Sequence, residues 1–171
     1  MSLVKGPRTY GAYETMRMRQ LHGAELASFK LRAVALILDV VFATVLFVVV
    51  MAPFERYIIQ GLFKVEFEFV FTFFGNWYSI VWLVLYFGLA TYIGNGWTPG
   101  KWLVGIRVKS LLHERISLWH SLERALGYSA SLLEFGFGFI QYFIHPNRRT
   151  AHDRIAETIV VREPRQKRRR K

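Results

Sequence analysis

The amino-acid sequence predicts an all-α membrane protein with two full transmembrane helices, a third interfacial or re-entrant helical segment, and a small cytoplasmic β element. Three observations point there. An apolar run, charged only at Arg32 near its start and at Asp39, fills residues 31–52. The 171-residue chain is 53% hydrophobic and 16% aromatic although its net charge is +11. Its charges also gather in short connectors between long apolar stretches, a segregation that a bilayer imposes, because a helix needs about 20 apolar residues to cross roughly 30 Å of hydrocarbon.

The first 30 residues carry Lys5, Arg8, Arg17, Arg19 and Lys30 and form a cytoplasmic arm, either an amphipathic surface helix over 12–29 or a partly disordered segment. The first span covers 31–52, with Pro53 placed to stop the helix. A mildly acidic connector follows. The second span runs from 77 to 93, with Trp and Tyr near its ends, where amphipathic rings favour the interface. Asn95-Gly96 and Pro99-Gly100 then break the helix. Residues 105–118 suggest a small hairpin, and the β-branched stretch 158–162 is suited to pair with it.

Residues 117–144 begin amphipathically, but their later apolar part, 132–144, is too short for a full crossing. Charge supports the same reading. Lysine and arginine accumulate on the cytoplasmic side, and the basic flanks lie before the first span, after the second, and in the tail. A third complete crossing would put the most basic segment outside, so two spans are expected, with both termini in the cytoplasm and the chain in the cell's inner (plasma) membrane. The domain layout is therefore an arm at 1–30, a membrane domain at 31–162 and a basic tail at 163–171.

Asp39 lies about 12 Å into the first span, at 1.5 Å per residue. An acid at that depth is unfavourable by about 2.5–3.5 kcal/mol and must face protein or a cavity, paired or protonated. Arg32 projects from the same helical face, nearly two turns earlier, too distant for a direct pair. Further partners are therefore expected. Asp39 is a candidate for either ion binding or helix packing.

Arg32 and Asp39, the stretch GWTPGKWLVGIRV at 96–108, and RTAHDRIA at 149–156 followed by TIVV at 158–161 occur in that order. This arrangement resembles the RDD family of membrane proteins over residues 25–162. The family is named for one arginine and two aspartates, and the resemblance implies that these are Arg32, Asp39 and Asp153. It also implies the fold and a proposed transport role, with ion exchange suggested for some members. Where the family commonly has glycine before the last strand, this chain has Glu157. An Arg32–Asp153 pair would tie the C-terminal segment to the first span.

Glu134 is a third acid of interest if its segment dips into the membrane. Residues 98–101, TPGK, lack the second glycine and the Lys-Ser/Thr ending of a phosphate loop, so a tight turn with Lys101 at the lipid headgroups is expected instead. Arg168, Arg169, Arg170 and Lys171 suit anionic lipid better than nucleic acid. The five histidines show no ligand spacing, and no cysteine is present. No metal, cofactor or enzymatic activity is expected. The partners anticipated are anionic headgroups and other membrane subunits or further copies of the chain. The function expected is that of an accessory or scaffold subunit, the alternative being an oligomeric transporter of a proton or small cation through Asp39.

Overall fold

A computed structural model describes residues 16–64, 70–72, 76–133 and 137–163, without the side chains of 129–139. Among these residues seven α-helices and two strands follow in order: α1 Met16–Gln20, α2 Phe29–Phe54, α3 Trp77–Ile93, α4 Pro99–Val104, β1 Ile106–Ser110, α5 Leu118–Leu133, α6 Phe137–Ile144, α7 Ala151–Ile155 and β2 Thr158–Arg162. Ser28 caps α2 by accepting from the Leu31 N–H. Pro53 does not end this helix. It lies inside α2, and the chain continues as a π-helical stretch, Glu55–Gln60. Proline removes one donor, and a local π adjustment is a known way for an apolar-span helix to re-satisfy the freed backbone groups.

Together, Phe29–Gln60 forms 32 residues of helix, long and apolar enough to cross a membrane. The second apolar helix, α3, has 17 residues. Their burial is inverted relative to a soluble helix. Ala35, Asp39, Ala43 and Phe47 face inward at four-residue spacing, and so do Ser79, Leu83, Phe87 and Thr91. Ile37, Val41, Val45 and Val49 point outward and are exposed. Small or polar residues thus alternate with Phe47, Leu83 and Phe87 inside, and the outward residues are large and apolar; membrane helices adopt such a pattern because small side chains let backbones approach closely and lipid accepts the apolar exterior. Trp82 Nε1 donates to the Ala43 carbonyl at 2.9 Å and fastens α3 to α2. The amphipathic α5 packs along α3 and also touches α7.

The expected local hairpin is absent, and residues 111–115 form bends. β1 instead pairs antiparallel with β2, from Ile106 opposite Arg162 to Ser110 opposite Thr158. On the other edge of β2, Leu26 bridges Val161, the Ala27 N–H donates to the Val160 carbonyl at 2.9 Å, and the Arg162 N–H donates to the Glu25 carbonyl at 2.8 Å. The arm around 25–27 therefore covers the strand, which explains why four of the five β2 residues are buried. The expected surface helix over 12–29 shrinks to the short α1 among the described residues for this reason. One face of the sheet packs Ile106, Val108 and Val160 onto Ala27 and Ala35, and the other packs Leu111, Ile159 and Val161 onto Leu26.

Candidate functional site

Two buried ionic clusters lie where α2, α4, α5 and α7 meet. The first surrounds Asp39, which is fully buried. The Thr98 hydroxyl donates to Asp39 Oδ2 at 2.5 Å, the Gly100 N–H donates to Oδ1 at 2.7 Å, and the Tyr86 hydroxyl reaches Oδ1 at 3.4 Å. Lys101 Nζ lies 3.7 Å from Oδ2 and donates to the Thr98 hydroxyl at 3.2 Å. The local sequence makes this possible. Thr98 caps α4 by accepting from the Lys101 N–H, Pro99 follows with the φ that a first helical turn requires, and Gly105 closes the helix in the left-handed region at φ 71°. Residue 100 must be glycine, because a Cβ there would stand 2.3 Å from the Ala35 carbonyl oxygen and 2.9 Å from Asp39 Cγ.

This corrects the placement of Lys101. It is 4% exposed and not at the headgroups. The expected turn at 98–101 is the start of a helix, and that helix carries the ammonium inward to the carboxylate.

The second cluster surrounds Asp153, also fully buried. Arg32 Nη1 donates to Asp153 Oδ2 at 2.7 Å, as the sequence suggested, and Arg124 Nη1 pairs with Oδ1. Asp153 belongs to a capping box with Thr150, whose N–H donates to Oδ2 at 3.2 Å. Arg124 also donates to the Thr158 hydroxyl at 2.6 Å and to the Tyr128 hydroxyl at 3.2 Å. Arg149 donates to the Asp153 and Thr158 carbonyls at 3.0 and 3.2 Å.

Burial alone would raise the Asp153 carboxyl, but the Arg124 and Arg32 charges outweigh it and hold the group well below the usual carboxylate range. Burial pushes the neighbouring His152 down to about 3, with Asp153 opposing and Arg124, Arg32 and Lys101 reinforcing the shift. His152 is therefore neutral at physiological pH, and its 4.0 Å approach to Asp153 is not an ion pair there.

Arg32 and Asp39 thus share a helix face but serve different clusters. Tyr128 joins the two, with Lys101 Nζ 6.0 Å and Arg124 Cζ 5.6 Å from its ring centre. A cavity of about 330 Å³ opens between the clusters, with Arg32, Lys101 and Arg124 in its wall. Sequence reasoning missed Arg124, Thr98, Tyr86 and Tyr128. The one available signal was Arg124 interrupting an apolar helix four residues before Tyr128, a spacing that places both on one face. Glu134, Arg168, Arg169, Arg170 and Lys171 lie outside the described residues.

Inward-facing charges beneath an outward apolar surface define a helical membrane protein whose polar residues hold its interior together. The chain belongs to the RDD family, which matches residues 26–157. No curated protein and no solved structure matches it.

Proposed function

We propose that this chain is a non-catalytic, two-span subunit of a membrane complex, with α2 and α3 crossing the plasma membrane and both termini in the cytoplasm. One observation carries the reading. Among the described residues the polar contacts of Asp39 are all internal, to Thr98, Gly100, Tyr86 and Lys101, while the exposed surface of α2 is a continuous apolar face. A carboxylate held by two close donors and an ammonium is a packing device, and the outward face is left for lipid or a partner helix. The basic residues at and before the start of α2 and those following α3 favour a cytoplasmic location for the sheet.

Purification in mild detergent without crosslinker tests this. A second membrane protein is expected in fixed stoichiometry, and recovery of monomers or homo-oligomers alone would remove the reading. The alternative, proton or cation transport, rests on the burial of the Asp39–Lys101 pair at span depth. It requires flux through liposomes carrying the purified chain, abolished in Asp39→Asn/Lys101→Met. No flux from the unaltered protein would exclude it.

A further inference from the structure

The cavity between the two clusters has an uneven lining. Arg32, Lys101 and Arg124 contribute three cationic side chains, whereas most of the remaining wall is apolar, including Phe29, Leu36 and Phe143. Among the described residues the carboxylates that pair with those cations are Asp39 and Asp153, so three positive charges meet two negative ones there. A surplus positive charge is left beside a hydrophobic space. The Nε–H groups of Arg32 and Arg124 are both buried without an acceptor among the described residues. A buried donor left unmade is costly, by about 1–3 kcal/mol.

On α6, Ile140 and Phe143 line the cavity and are also 49% and 58% exposed, so the space opens beside them onto the apolar outer surface. At about 330 Å³ it stands at the small end of ligand cavities, roughly 300–1,000 Å³, a size for one alkyl chain and not for a two-chain phospholipid.

We propose that this cavity binds a free fatty acid, with its carboxylate at Arg32 and Arg124 and its chain leaving past Ile140 and Phe143 into the bilayer. A monoanion matches the surplus charge, and a carboxylate presents the acceptors that the two guanidinium Nε–H groups lack. A single chain matches the volume and the apolar walls. The inference rests on the membrane setting of the fold and is independent of the accessory role.

The test uses the full chain in phosphatidylcholine nanodiscs titrated with radiolabelled palmitate, with empty nanodiscs as the blank. Saturable binding at one palmitate per chain is expected. Hexadecanol, with the chain but no charge, and acetate, with the charge but no chain, should each compete at least tenfold more weakly. Ala33→Phe fills the cavity, and Ile140→Trp blocks its rim from an exposed position; each should weaken palmitate at least tenfold without touching a charged residue. Because Ile140 is exposed, its variant keeps the test decisive if Ala33→Phe does not fold. Absence of saturable binding, equal competition by hexadecanol, competition by acetate as strong as that of palmitate, or unchanged affinity in Ile140→Trp would each overturn the proposal.

Discussion

At the scale of single residues, the Asp39–Lys101 pair shows how a buried charge depends on its partner. Breaking such a pair from one side leaves an uncompensated charge and costs about 3–5 kcal/mol, whereas replacing both members with apolar or neutral groups is often nearly neutral. Asp39→Asn should therefore destabilise the chain by about 3–5 kcal/mol in denaturant titration in detergent, and Asp39→Asn/Lys101→Met should recover most of that loss. His152 makes a second expectation. Its folded-state value, about 3, lies below the ordinary 6.5, so the unfolded chain binds the extra proton as pH falls through that interval and stability drops with it. The depressed Asp153 carboxyl acts in the same direction below its ordinary 3.8, and the more exposed His145 adds a smaller effect of the same sign. The melting temperature should be lower at pH 5 than at pH 7.5, with a visibly flatter profile in His152→Asn. An unchanged slope in that variant would assign the acid sensitivity elsewhere.

At the scale of elements, the turn into β2 is where the chain departs from its family's usual glycine. Glu157 adopts φ 45°, and an L-residue in the left-handed region costs roughly 1–2 kcal/mol. Glu157→Gly relieves that strain while adding freedom to the unfolded chain, so a net stabilisation of about 0.5–1 kcal/mol is expected from the denaturation midpoint. Elements set by local pattern were legible in the sequence: the apolar run 31–52 became α2, 77–93 became α3 without change, and β1 found β2. What depended on distant partners was not. Pro53 was read as a stop because nothing local reveals that a π-helical stretch follows, and 105–118 looked like a local hairpin, whereas β2 supplies the partner of β1. Arg32 and Asp153 were paired correctly because each lay in a recognisable motif, but Arg124 resembled the polar side of an amphipathic helix, and only the packing of α5 against α7 turns it inward. Lys101 was misplaced for the same reason, since its depth is decided by how α4 lies against α2.

At the scale of the whole molecule, the proposed two-span topology would divide the chain between two sides of a membrane, and the absence of cysteine makes that division easy to probe. Single cysteines at the exposed positions Gln20 and Glu114 should be shielded from an impermeant thiol reagent in intact cells, and one at Lys64 should be modified. Modification of all three, or of Glu114 alone, would contradict the two-span topology. The double-edged pairing of β2, with β1 on one side and residues 25–27 on the other, also governs the order in which the protein can be completed. Contacts between segments so far apart in sequence form late, because the loop between them must close first. During synthesis, Arg32 and Arg124 leave the ribosome before Asp153 and the strand behind it exist. Until they arrive, the two guanidinium groups lack the carboxylate they share in the finished fold. The sheet and the Asp153 cluster therefore close only once the chain through residue 162 has left the ribosome.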